Sequence, residues 1–305
     1  MKYSTEQVGF KLLRGLNNPL LSHTTIYHGT LIVSQGGYFP TACQAPIMLG
    51  SKNKKIIGVI PARISSTRLP RKPLLLIHGH PMIAWVCAHA RAATELSELL
   101  VATDSDEILE WCRSLNIPVM MTSPAHRSGT ERICEVMSRQ VREGSAADIY
   151  VNIQCDEPLV ETAHIKLLVK PFTEDAATQV STLKVRLDRA EAANPHKVKV
   201  VVNHRGDALY FSRSPMPHDS GEPAPAAYYK HLGLYAYSRV TLEKYKNLRP
   251  GPLEAAERLE QLRFLENGVP VAVRETTKDT IAVDTAEDLE RVEQHFTAAG
   301  LTFPG

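Results

Sequence analysis

The chain reads as an α/β protein built on a mostly parallel sheet with a β-rich insertion, and three observations carry that reading. From Ile56 onward, short apolar runs alternate with stretches of helical period, the pattern of strands covered by crossover helices. The first run, Ile56-Ile57-Gly58-Val59-Ile60, empties into a loop, residues 61–74, that carries four cations and three hydroxyls. Loops of that kind grip phosphate beyond the carboxyl end of a parallel strand. After about residue 177 the helical rhythm gives way to closely spaced strands.

Taken in order, residues 1–54 hold Asn17-Asn18-Pro19, Gly36-Gly37 and the polar Ser51-Lys-Asn-Lys-Lys55, with no sustained period and no secretory signal pattern. They are expected to be a disordered extension, or a spurious one if Met48 is the true start. Residues 55–300 are expected to form one domain. Within it 56–62 is a strand, 81–93 a helix with proline in its first turn, and 99–103 a strand. Asp104-Ser-Asp-Glu107 reads as a cap with a carboxylate three positions on, opening a helix to about 115. A strand at 117–121, a helix at 129–142 and a strand at 149–154 follow. Beyond 177, strands are expected at 179–186, 198–203, 208–212 and 229–237, with a proline-rich loop at 214–225. The β-rich insertion spans about 195–237. Helices at 253–266 and 285–296 enclose a strand at 269–273.

Bulk composition excludes several classes. At 305 residues with 43% hydrophobic and 22% charged content, the chain is ordinary for a globular protein. A formal net charge of +2 argues against a nucleic-acid coat, and no apolar run nears the roughly 20 residues of a membrane span. Five cysteines in odd number and unpaired spacing read as free thiols of a reducing cytoplasm. His78-Gly-His80 lacks a partner at zinc-like spacing and reads as a turn.

Five constellations carry chemistry. In the opening loop Arg63 and Lys72 can neutralise phosphate oxygens, and Ser65, Ser66 and Thr67 offer hydroxyls. The loop has no glycine, which excludes the Walker P-loop and the dinucleotide fingerprint. In His126-Arg-Ser-Gly-Thr-Glu-Arg132, Ser128 either caps a helix or offers that helix start to an anion or a base edge. Asp156 and Glu157 follow a buried strand, either as a turn or as holders of a cation beside phosphate, for which Mg²⁺ is the usual choice. Asp284 sits between a strand and the last helix, as a cap or as a second ligand converging with Asp156. His231 and Tyr235 share a strand face, either to hold a polyhydroxylated acid or as a satisfied buried pair, and Glu254 and Gln261 follow.

Together these segments resemble the 3-deoxy-manno-octulosonate (Kdo) cytidylyltransferases. The resemblance spans residues 56–296 and rests on PARISSTRLPRKPL, VATDSDEI, MTSPAHRSGTERI, VNIQCDEPLV, HKVKVVV, ALYFSRSPMP, YYKHLGLYAYS, LEQLRFLENG and VDTAEDLERVE, in that order. It implies a Rossmann-like nucleotide-diphospho-sugar transferase fold, a homodimer formed through the β-rich segment, and a cytoplasmic enzyme of lipopolysaccharide biosynthesis. It further implies that Ala62, Arg63, Lys72, Ser128 and Gly129 hold CTP and that Asp156 and Asp284 hold Mg²⁺. Arg68, Arg132, Gln154, His231, Tyr235, Glu254 and Gln261 would surround the sugar acid. The implied reaction moves CMP from CTP to the anomeric hydroxyl of Kdo and releases diphosphate. Asp156, Asp284, Arg63 and Lys72 would do the catalytic work, without a covalent intermediate. Four positions depart from the family: Cys155 and Arg71 stand at frequent glycines, and Ala255-Ala256 where bulkier residues are common. Two alternatives stay open, a CTP-dependent enzyme for 8-amino-Kdo or another sugar acid, and a nucleotide-binding regulator without turnover.

Overall fold

The computed structural model describes residues 24–27, 30–33, 54–66, 68–221 and 225–303. The chain divides into two units, Met1–Ser51 and Lys52–Gly305. In the first, β1 (Thr24–Tyr27) pairs antiparallel with β2 (Thr30–Val33). The expectation of disorder for 1–54 otherwise lies outside the described residues, as do Met48 and Thr67.

The second unit is organised by β3 (Ile56–Ala62), whose alternate residues face opposite ways. Ile56 and Ile60 join one core cluster, Ile57 and Val59 another. A two-stranded ribbon follows, β4 (Leu76–Ile77) with β5 (His80–Pro81), turned by His78 and Gly79 at φ 46° and 80°. Positive φ at both central residues suits such a hairpin, so the expected turn forms. Next come α1 (Met82–Arg91), β6 (Glu98–Thr103), α2 (Asp106–Ser114), β7 (Val119–Met121), α3 (Gly129–Arg142) and β8 (Ile149–Asn152). β3 runs parallel to both β6 and β8, and β6 parallel to β7, so the carboxyl ends of these strands share one edge.

α4 (Thr162–Glu174) was not anticipated, although Ile165, Leu168, Val169 and Phe172 bury its helical stripe and Pro171 lies in its last turn. β9 (Val180–Leu187), β10 (Lys199–Val202), β11 (Ala208–Ser212) and β12 (Tyr228–Ser238) complete the β-rich region. β12 is antiparallel to β8, β9 and β10, which makes the large sheet mixed beyond its parallel half. After α5 (Arg239–Tyr245), the single helix expected over 253–266 is two, α6 (Pro252–Glu257) and α7 (Leu262–Glu266). Arg258 takes a left-handed φ of 53° between them. The chain doubles back there so that the Glu266 carboxylate accepts from Leu253 N at 2.9 Å and Glu254 N at 3.0 Å, capping α6. β13 (Val271–Thr276) runs parallel to β9, and α8 (Ala286–Ala298) ends the described fold.

Helices cover both faces of the sheet: α1, α2 and α4 bury one cluster, α3, α5 and α7 the other. A third cluster of Ile77, Met82, Trp85, Val283, Val292 and Phe296 ties α8 to the ribbon and α1. Trp85 is fully buried, and its indole N–H donates to Ile77 O at 2.8 Å. That cluster fixes where Asp284, next to Val283, can stand.

Candidate active site

The loops leaving β3, β7 and β8 meet the start of α8 around a cavity of about 230 Å³. The loop after β3 is shaped locally: Leu69 N donates to Ser66 Oγ at 3.3 Å, and Lys72–Leu74 forms a turn of 3₁₀ helix closed by Leu74 N to Arg71 O at 2.8 Å. That turn swings Lys72 inward. Its ammonium donates to Asp156 at 2.5 Å and to Asp284 at 3.0 Å, and Arg68 donates to the same Asp284 oxygen at 3.0 Å. A backbone bond from Val283 N to Asp156 O at 2.9 Å holds the two acidic segments side by side.

The electrostatics follow. Burial works against the charge on Lys72, but Asp156 and then Asp284 outweigh it and raise its pKa above the ordinary lysine value. For Asp284 burial pushes upward, while Lys72 and Arg68 pull harder and leave its carboxyl below the usual range. Two carboxylates thus converge on one cation. No group of three or more His, Cys, Asp and Glu side chains among the described residues is placed to hold a metal. A donor set of two carboxylates suits a hard ion such as Mg²⁺, which keeps waters and takes substrate oxygens rather than a full protein cage.

The opposite wall is the start of α3. Ser128 does cap that helix, accepting from Glu131 N at 3.2 Å, and with Gly129 it also lines the cavity. A Cβ on Gly129 would stand 3.3 Å from Pro61 Cγ and 3.4 Å from Asn152 Nδ2, so glycine permits the close approach of α3 to β3. Arg63, Arg68, Arg132 and Gln154 also line the cavity. Ala62 is fully buried, its side chain in the core, while its neighbours Pro61 and Arg63 reach the cavity.

Four residues that the sequence grouped with these lie elsewhere in the chain's fold. His231 is buried, bonded to Thr182 Oγ1 at 2.9 Å and set edge-on to Phe211, and burial drives its pKa down to about 3. Tyr235 is buried and stacks on Tyr237. Glu254 receives two hydrogen bonds from Arg263 at 2.8 and 2.5 Å, and Gln261 is buried. None of the four lines the cavity around Lys72. Glu157, the second acid of its pair, is buried away from the cavity lining, its pKa raised to about 7 by burial and then by Asp156.

Two family departures gain a structural account. Cys155 is not among the residues of positive φ, and its side chain packs in the core cluster of β3 and β8 while touching the cavity. Arg71 does adopt φ 57°, the left-handed region that favours glycine, and its guanidinium pairs with Glu107. Sequence reasoning missed Asp104. It spent that residue as a helix cap, yet Ser105 caps α2 and accepts from Ile108 N at 3.4 Å. The available signal was position, since Asp104 follows a buried parallel strand at its carboxyl end as Asp156 does.

The cytidylyltransferase family pattern matches residues 57–279. The 3-deoxy-manno-octulosonate cytidylyltransferase of Acidobacterium capsulatum is 49% identical over 239 residues, 78% of this chain and 95% of that protein. That of Koribacter versatilis is 49% identical over 240 residues, 79% of this chain and 89% of its own length. Among solved structures, a CMP:2-keto-3-deoxy-manno-octonic acid synthetase complexed with CTP superposes with a TM-score of 0.76 at 41% identity, covering 80% of this chain and 99% of that one. A nucleotidyltransferase by fold, by motif order and by the cation-lined cavity at its strand ends, the chain belongs to the cytidylyltransferase family, among the 3-deoxy-manno-octulosonate cytidylyltransferases.

Proposed function

We propose that this protein transfers CMP from CTP to the anomeric hydroxyl of Kdo, giving CMP-Kdo and diphosphate, with Mg²⁺ required. The observation that carries the reading is Lys72 bridging Asp156 and Asp284 inside a cavity lined by Arg63, Arg68 and Arg132. The relatives' names and the CTP in the similar structure support the choice of substrates.

The chain's own residues divide the labour. Arg63 and Lys72 face the triphosphate and stabilise charge on the departing diphosphate. A raised pKa keeps Lys72 cationic at neutral pH. Arg132 and Arg68 offer planar forks to the acid's carboxylate, and Gln154 a neutral hydrogen-bonding amide. Asp156 and Asp284 would hold Mg²⁺, which when bound acts as a Lewis acid that lowers the pKa of a coordinated hydroxyl. Ser128, Gly129 and the backbone beside Ala62 would meet the cytosine. We place the enzyme in the cytoplasm as a homodimer formed through the β-rich region, a step of lipopolysaccharide biosynthesis; its buried free thiols support a reducing compartment.

The test is diphosphate release from CTP, with and without Mg²⁺, over a panel of sugar acids that includes Kdo and 8-amino-Kdo. Release with Kdo and CTP that stops on chelation is expected. Release with the 8-amino sugar alone would reassign the acceptor, and CTP binding without release from any acid would make the protein a regulator.

A further inference from the structure

Asp104 stands where β6 ends, and its carboxylate is spent on Arg132, which lines the cavity, rather than on α2. Its Oδ2 accepts from Arg132 Nη2 at 2.8 Å, and its Oδ1 faces Ile64 N, in the loop after β3, at 3.4 Å. From the other side Thr122 Oγ1 accepts from Arg132 Nη1 at 2.5 Å. The side chains of Arg132 and Asp104 are only 3% and 8% exposed.

We propose that Asp104 is a positioning residue, which pins the Arg132 guanidinium so that its unused N–H groups face the carboxylate of the acid substrate. The proposal rests on the reading that Arg132 receives that acid. Guanidinium carries five donors. Asp104, Thr122 and Ser123 O engage three of them and leave two, enough for one carboxylate. A carboxylate partner does more than orient. An arginine this buried needs a counter-charge, since an unpaired buried charge is strongly destabilising. A mobile arginine would also turn toward the more highly charged triphosphate, whereas one held by Asp104 keeps a direction and part of its charge for the weaker anion. Pre-set orientation of this kind lowers the ordering cost of binding.

The experiment uses the full chain and the Asp104→Asn variant, with each substrate varied in diphosphate-release assays and the arginine side chains followed by ¹⁵N NMR. For Asp104→Asn, KM for the acid is expected to rise about tenfold or more, the scale on which supporting partners act, while KM for CTP stays within about twofold. Wild-type Arg132 is expected to show slowed guanidinium rotation, with separate Nη signals, and the variant to lose it. A variant that keeps both the slowed rotation and the wild-type KM for the acid overturns the proposal, as does a rise in KM for CTP alone. Absence of wild-type turnover with every acid would sink the functional reading instead, and the NMR result would still decide the positioning claim. If Asp104→Asn fails to fold, Thr122→Val frees the other side of Arg132 and is read by the same criteria.

Discussion

The two ends of this fold treat their charges in opposite ways. At the carboxyl ends of β3, β6 and β8, cations gather in excess and stay open to a cavity. Arg63, Arg68, Lys72 and Arg132 outnumber Asp104, Asp156 and Asp284 there. On the β-rich side the chemically suggestive residues are closed within the chain. His231 is held by Thr182, Tyr235 is stacked on Tyr237, and Glu254 is held by Arg263 in side chains only 15% and 12% exposed. Both regions carry long, specific motifs, yet of the residues the sequence singled out only those of the first keep charge facing a cavity. The difference teaches where chemistry is available to this chain: a clustered excess of like charge is unfavourable unless something anionic arrives.

The sharpest way to break that comparison is to remove one carboxylate from the open end. Asp156→Asn is expected to lower turnover on the order of 10³-fold, comparable with the loss of a key transition-state contact. Stability should change by no more than about 1 kcal/mol, because Lys72 keeps Asp284 as a partner and the pair is partly solvated. Diphosphate release beside a thermal melt checks both halves. Near-wild-type turnover would remove Asp156 from the site and with it the contrast between the two ends.

The open end was also the more legible one. Alternation of apolar residues gives β3, β6 and β8 their two faces, and strand-end position brings Arg63, Lys72, Asp156 and the α3 start to the cavity. What escaped was three-dimensional competition. Asp104 and Ser105 are both good caps, and only the approach of Arg132 from α3 decides that Asp104 pairs with it while Ser105 caps α2. The 253–266 stretch has helical period throughout, but Glu266 folds back to cap α6 and splits it. On the β-rich side a shared strand face does not say whether that face points to solvent or to other side chains, and for His231 it points to Thr182 and Phe211.

A change at the closed end should read out in stability rather than in substrate binding. Hydrogen bonds to Glu254, against the cost of burial, raise the pKa of Arg263, and the two side chains are mostly shielded from water. Glu254→Gln keeps the shape, removes the charge and leaves Arg263 without its counter-ion. The expected cost is about 2 kcal/mol, the scale of a charged hydrogen-bonded pair, with KM for both substrates within about threefold by the same scale of reasoning. Denaturant unfolding and steady-state kinetics measure the two together. A large rise in KM for the acid with unchanged stability would place Glu254 in the site after all and dissolve the distinction.

The smallest expected effect lies on the loop that joins both arguments. Arg71 holds φ 57° and ψ 30° at the turn that delivers Lys72 to the carboxylates. A side chain in that conformation costs about 1–2 kcal/mol, and the pair with Glu107, at 63% and 48% exposure, returns at most about 1 kcal/mol. Glycine relieves the strain but adds freedom to the unfolded chain worth about 0.4–1 kcal/mol. Arg71→Gly should therefore be neutral or stabilising by a few tenths, whereas Arg71→Ala loses the ion pair and keeps the strain. The sign of the Ala–Gly difference isolates the backbone term, since both variants lack the guanidinium. Urea unfolding of the pair decides it: alanine as stable as glycine would mean that the loop relaxes out of the left-handed region and that Lys72 is placed by its two carboxylates rather than by the turn.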